Sequence, residues 1–357
     1  MAQINKPNLH FDSKIYLGSS NAVTVSGLGF QPDWVWIKDR DNGNNHCLVD
    51  AVRGVGKYIQ SDNNSAEINN STNSISAFTS DGFTTGTANP ANESASTTNG
   101  FISWNWKAGT TGSGTTSGSG YGKAYSYSVN TTAGFSIITY KGNGTSGHTI
   151  PHHLGATPKL IIVKNRDTTD NWEVYHSSLG AEKYLELNLT ATQGDSTAIW
   201  NDTEPTSSVF TIGDNGGVNT NDEDYIAYVF AEINGYSKIS SYKGNGNSTN
   251  GPFVYTGFKP AFIIGKKANG NSDNWYVLDN KRIGFNERNY WLYPNLTNTE
   301  YGSDEGNHTA YHADLLSNGF KIRSSDDMVN GNSNIYVFWA FAAEPLVGTN
   351  KVPAVAR

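Results

Sequence analysis

Pro32-Asp33-Trp34-Val35-Trp36-Ile37-Lys38 is an apolar run opened by proline and closed by lysine. The chain writes it twice more, as Pro158-Lys159-Leu160-Ile161-Ile162-Val163-Lys164 and Pro260-Ala261-Phe262-Ile263-Ile264-Gly265-Lys266. Apolar on both faces, each run reads as a central strand covered from two sides. Upstream of each lies a strand ending in a Tyr-x-Gly turn: Phe11 to Tyr16-Leu17-Gly18, Phe135 to Tyr140-Lys141-Gly142-Asn143-Gly144, and Tyr236 to Tyr242-Lys243-Gly244-Asn245-Gly246. Tyrosine to lysine is 22 residues in the first copy and 24 in the other two. Downstream comes an alternating aromatic phrase: Ile102/Trp104/Trp106, Ile226/Tyr228/Phe230, Val337/Trp339/Phe341. With Phe101, Ser103 and Asn105 interleaved, the first of these reads as a half-buried strand. Gly82-Phe83-Thr84, Val209-Phe210-Thr211 and Gly319-Phe320-Lys321 each start a further strand after a turn. Self-similarity on this scale is the mark of internal repetition.

The pattern predicts an all-β protein of three tandem antiparallel β-sandwich repeats. The first covers residues 1–109, with a short polar lead-in, and the second 123–235. The third covers 236–345, and 346–357 forms a tail. Between the first two, TTGSGTTSGSGYG reads as a flexible linker over 110–122. After it, Lys123 to Val129 and Phe135 to Tyr140 alternate around a polar turn and predict a hairpin. Tyr184 to Leu189 is short enough to read as helix or strand. The abrupt second junction predicts that repeats two and three pack as a unit, with the first tethered more loosely.

Composition narrows the function. Only 36% of the 357 residues are hydrophobic and 16% charged, with 38 glycines, which suits short strands joined by polar turns. The net charge of −7, with no Lys/Arg run interleaved with aromatics, argues against nucleic acid. One cysteine, Cys47, cannot form an intrachain disulfide. The N-terminal ten residues lack the basic start and apolar stretch of a signal peptide, and no apolar run is long enough to span a membrane. The expectation is synthesis in a host cytoplasm and release by lysis or assembly, without membrane insertion.

Chemistry-bearing residues are scattered. His152-His153 sits in a loop, His46 and His176 occupy equivalent stretches, and His308 and His312 lie four apart; solvated or turn roles outweigh metal binding for all of them. The loops Asp39 to Asn45 and Asp214 to Asp224 carry oxygens that suit calcium but lack EF-hand spacing. No cofactor is expected beyond that possible calcium. No Gly-x-Ser-x-Gly elbow, HExxH or phosphate loop occurs, and no catalytic residue is assigned. Trp200, Trp291 and Tyr290 stand among polar neighbours and are candidate exposed platforms for sugar rings. Trp172 and Trp275 hold equivalent positions and are candidates too, although repetition favours a core role. Asp50 and Arg53 form a candidate structural pair.

Gly29 to Arg40, Val49 to Tyr58, Ser80 to Phe83 and Trp104 to Gly109 together resemble a domain family common in virion proteins of marine tailed phages. The resemblance is strong over residues 11–109. Repeats two and three depart from the Asp-x-Val-Arg-Gly stretch, which puts any role of Asp50 and Arg53 in doubt there. The resemblance implies a sandwich of the SPRY or concanavalin type and a non-enzymatic structural role on the particle, as a fibre, tail appendage or capsid decoration. It also implies contacts with other virion proteins and a homo-oligomer, a trimer by the symmetry of attachment sites. The alternative is a lectin-like module that recognises host-surface glycans.

Overall fold

The lysine-closed runs are inner strands of three antiparallel sheets in a computed structural model that describes residues 4, 6–98, 100–282, 286, 290–300 and 312–343. The first sheet consists of β1 (Phe11–Tyr16), β2 (Trp34–Asp39), β3 (Cys47–Asp50) and β4 (Phe101–Trp106). The second is built on β5 (Phe135–Lys141), β6 (Leu160–Asn165), β7 (Glu173–His176) and β8 (Asp224–Phe230). The third consists of β9 (Ser237–Lys243), β10 (Pro260–Lys267), β11 (Tyr276–Asp279) and β12 (Ile335–Ala342). Their orders are β1-β4-β2-β3, β5-β8-β6-β7 and β9-β12-β10-β11. One strand order thus occurs three times, and the protein is all-β.

Beside each four-strand set lies a small three-stranded sheet: Thr24–Val25, Gly82–Thr85 and Ile75–Thr79 in the first copy, and Phe253–Tyr255, Gly319–Ile322 and Ala313–Leu316 in the third. The second copy departs from this scheme. Its sheet joins Ser117–Gly118, His148–Pro151 and Val209–Ile212, and the helical turn α1 (Thr197–Trp200) stands where the others have a hairpin strand. Its Ile199 carbonyl accepts from Gly213 N–H, standing in for the missing ladder.

Period-two geometry divides each inner run between two cores. Val35 and Ile37, Ile161 and Val163, and Ile263 face the small sheet of their own copy in three separate clusters. Trp34 and Trp36, Leu160 and Ile162, and Phe262 and Ile264 face the other way, into one cluster shared by all three copies. At that centre Trp34 stacks on Tyr228 with centroids 4.2 Å apart, Phe11 on Phe341 at 5.1 Å, and Trp106 meets Phe262 edge-on at 5.6 Å. Three sandwiches therefore meet at one aromatic centre, where such pairs add roughly 0.5–1.5 kcal/mol each beyond their area. This explains why β4 is buried on both faces, contrary to the half-buried reading. Ser103 and Asn105 are as enclosed as the tryptophans, and the Asn105 amide donates to Asp12 O across β1.

The Tyr-x-Gly turn is a lock with three equivalent parts. The Tyr16, Tyr140 and Tyr242 hydroxyls donate to Ala91 O (2.7 Å), Val218 O (2.7 Å) and Val329 O (2.8 Å). The last two acceptors lie in the helical turns α2 (Gly216–Asn219) and α3 (Asp327–Asn330). The backbone comes so close that a Cβ on Gly18, Gly142 or Gly244 would lie 1.9, 2.2 or 2.3 Å from a carbonyl oxygen. Glycine is required here by contact with the backbone. Asn92, Asn219 and Asn330 complete the lock: each side-chain oxygen accepts from the residue after the glycine, at Ser19, Asn143 or Asn245. Sequence reading did not single out these asparagines.

The hairpin is present, with Ala124–Asn130 paired to β5, and Tyr184 lies in a strand, Lys183–Glu186. The segment read as a flexible linker is ordered. Thr110–Thr115 pairs with Ala124–Asn130 at the edge of the second sheet, and Ser117–Gly118 pairs with His148–Pro151. Its glycines serve clearance: a Cβ on Gly112 or Gly114 would lie 2.6 or 2.8 Å from the hydroxyl oxygens of Tyr127 and Tyr125. The tail 346–357 and His308 lie outside the described residues. No helix among the described residues is long and apolar enough to cross a membrane.

Candidate functional site

The tryptophans at equivalent positions are anchors between copies. Trp172 Nε1 donates to Gln60 O in copy one, and Trp275 Nε1 to Glu186 O in copy two, both at 2.9 Å. His46 holds the equivalent position in copy one. Its Nε2 lies 3.0 Å from Tyr293 O of copy three, while its Nδ1 accepts from Trp36 Nε1. Each copy therefore reaches the next and the circuit closes: two to one, three to two, one to three. Matching backbone bonds follow, from Glu67 N to Arg166 O, Gln193 N to Ala268 O and Glu300 N to Arg40 O.

A buried Asp-x-x-Arg network forms at two of these three junctions. At the first, Arg53 pairs with Asp50 and donates to Glu67 Oε2 (3.0 Å) and Leu48 O (2.9 Å). Tyr228 of copy two donates to Asp50 Oδ2 at 2.9 Å, and Arg166 of copy two bridges Glu67 at 2.8 Å. Burial works against the Arg53 charge, but Asp50, Tyr228 and Glu67 outweigh it and raise its pKa. Copy three repeats the arrangement: Arg282 Nε donates to Asp279 Oδ2 (2.7 Å) and Nη1 to Glu300 Oε1 (3.0 Å). Copy one then supplies Trp104 Nε1 to Asp279 (3.1 Å) and Arg40 to Glu300 (2.6 Å). The Asp-x-x-Arg pair therefore survives in copy three despite its changed flanks. Copy two has His176 and Leu179 in its place, and His176 Nε2 reaches Phe338 O of copy three at 3.2 Å.

The lysines that close the apolar runs are all buried, and two of them reach across a seam. Lys38 Nζ donates to Asp39 O, Asn44 O and, across the junction, Thr297 O at 3.0 Å. Lys266 Nζ reaches Thr190 O of copy two at 2.8 Å, and Lys164 Nζ donates to Asn165 O at 2.6 Å. Burial lowers all three pKa values to about 8, since backbone carbonyls only partly replace water around an ammonium.

The proposed sugar platforms are not at the surface. Trp172 and Trp275 are fully enclosed, and Trp200 and Trp291 are 2% and 3% exposed. Trp200 closes α1 with its ring edge-on to Tyr175, while the polar neighbours that suggested exposure, Asn201 and Asp202, turn away at positive φ. Trp291 packs edge-on against His312 at 4.1 Å, and Tyr290 is half-buried. His46, His152, His176 and His312 are likewise buried rather than solvated, and burial holds all four below the usual histidine range. His176 is committed at both nitrogens, since Nδ1 accepts from Ser178 N–H. Asp39 accepts from the backbone of Asp41 and Asn42 and from Ser96, so its loop closes on itself. Among the described residues no three His, Cys, Asp or Glu side chains are grouped to hold a metal ion.

One carboxyl stands apart. Glu173 is 4% exposed, its Oε2 has no hydrogen-bond partner among the described residues, and it sits directly across the ladder from Glu186. Burial, then Glu186 and Asp170, push its pKa up to about 8.

No curated protein and no solved structure matches the chain. A family profile matches residues 6–345, spanning all three copies as one unit. The chain belongs to the family described as a domain of unknown function, DUF7483.

Proposed function

We propose that this chain is a non-enzymatic structural protein of a tailed-phage virion, a fibre, tail appendage or capsid decoration that presents β-domains on the particle surface. The observation that carries the reading is the closed circuit of junctions, which commits the distinctive side chains to holding three sandwiches together. His46, His176, Trp104, Trp172, Trp275 and the Asp50/Arg53 and Asp279/Arg282 pairs are spent on anchoring. The resemblance of copy one to a domain family of virion proteins is what suggests the particle. A chain with three similar units about one centre suits a threefold-related attachment site on other virion proteins, either alone or as part of a homo-oligomer.

The test is direct. Mass spectrometry of purified particles should find the chain in stoichiometric amount, and a map of the particle should place it at the surface. Its absence from particles overturns the proposal. Binding to host glycans would have to use surfaces other than Trp172, Trp200, Trp275 and Trp291, so a saturable signal on a glycan array that persists in a Trp200→Phe variant would locate it elsewhere.

A further inference from the structure

Glu173 lies on the side of β7 that packs under α2. Its equivalents by strand position are Cys47 in copy one and Tyr276 in copy three; Glu186 corresponds likewise to Gln60 and Tyr293. Two carboxylates directly opposed across a ladder therefore occur only in copy two among these three positions. Like charges so placed destabilise a sheet, and a buried carboxylate without a partner is worse. Asp170 adds a third acidic group, its carboxylate 3.6 Å from where a Cβ on Gly216 would stand. Tyr184 lies on the same strand face as Glu186, and Asn215 closes the far side. A Cβ on Gly217 would sit 3.0 Å from Glu173 Oε1 and 3.1 Å from Asn215 Oδ1, so glycine keeps the space between them clear.

We propose that Glu173 and Glu186 hold a divalent cation of the calcium class, with Asp170 at the mouth of the site and amide, hydroxyl and water oxygens completing the shell. Calcium takes six to eight oxygens in flexible geometry, so two carboxylates with neutral oxygens suffice where three acidic side chains do not converge. The cation supplies what the fold otherwise lacks, a partner for the enclosed Glu173 oxygen. The site differs from the acidic loops noted in the sequence: only Asn215 comes from one of them, and Asp39 in the other is already saturated by its own loop.

The experiment uses the full chain at neutral pH with terbium and calcium as probes. Trp172 and Tyr184 adjoin the site and should sensitise terbium luminescence, with saturable binding displaced by calcium. Weak affinity is expected, near the millimolar range of extracellular calcium modules. Calcium at about 10 mM should raise the melting temperature by about 2 °C or more. Glu173→Gln, which keeps the shape, should weaken terbium binding at least tenfold (roughly 1.4 kcal/mol) and remove the calcium-dependent melting shift. Gly217→Ala should weaken binding while leaving the calcium-free protein folded. If calcium neither shifts melting nor displaces terbium, or if Glu173→Gln binds as the parent does, the proposal is overturned and Glu173 is a neutral acid packed in the core.

Discussion

Single residues carry this fold in ways that differ in how visible they are. Gly142 is legible in the sequence as part of a turn, but the reason for it is a tertiary contact, the Thr220 carbonyl where a Cβ would go. Gly142→Ala should cost about 2–3 kcal/mol by urea unfolding, whereas an ordinary turn glycine would show less than 1 kcal/mol. The Asp50/Arg53 pair was legible in the sequence; its partners Tyr228 and Glu67 were not, since they arrive from elsewhere in the chain. Arg282→Leu leaves Asp279 and Glu300 buried with one donor fewer and should cost about 3–5 kcal/mol. A loss below 1 kcal/mol would show that the network contributes little. Histidines set the acid limit. His152, His176 and His312 have folded pKa values of about 4 against 6.5 unfolded, so below pH 6.5 the unfolded chain takes up protons that the folded chain refuses. Stability should fall as pH drops from about 6.5 to about 4, by roughly 3 kcal/mol per histidine at the lower end. His176→Gln should reduce that slope in pH-dependent unfolding.

Among elements, the strands were the most readable because a two-residue period and turn chemistry are local signals. β2, β6 and β10 follow the apolar runs, and the strands at Gly82, Val209 and Gly319 begin where glycine or an apolar pair follows a turn. The misreadings share a cause. Polar neighbours suggested an exposed Trp200, yet α1 turns that ring inward. Gly/Ser/Thr composition suggested a mobile linker, yet Thr110–Thr115 forms a ladder beneath two tyrosine rings. In both cases the deciding partner is distant or on another strand, which composition cannot register. Hydrogen exchange distinguishes the strand from a linker. Amides of residues 110–115 facing Ala124–Asn130 should be protected by several orders of magnitude, while a true linker would exchange within seconds.

At the scale of the molecule, three sandwiches share one core and three junctions. The charged networks lie at the junctions between copies one and two and between three and one. The third junction, at His176 and Leu179, lacks the Asp-x-x-Arg network and has instead Glu232, in the segment joining copies two and three, paired with Lys159 at 3.4 Å and Lys238 at 3.1 Å. Chain continuity keeps copy one beside two and two beside three at high effective concentration, while the closure between copies three and one is made by noncovalent contacts, the Arg282–Glu300–Arg40 network among them. Such an assembly has no unit that can leave with its core intact, because Trp34, Phe135 and Phe262 belong to one cluster. Differential scanning calorimetry of the full chain tests this most directly. A shared core predicts one transition whose van't Hoff enthalpy equals the calorimetric enthalpy. A ratio near one third, or three resolved transitions, would mean that the copies unfold independently and would contradict the closed assembly.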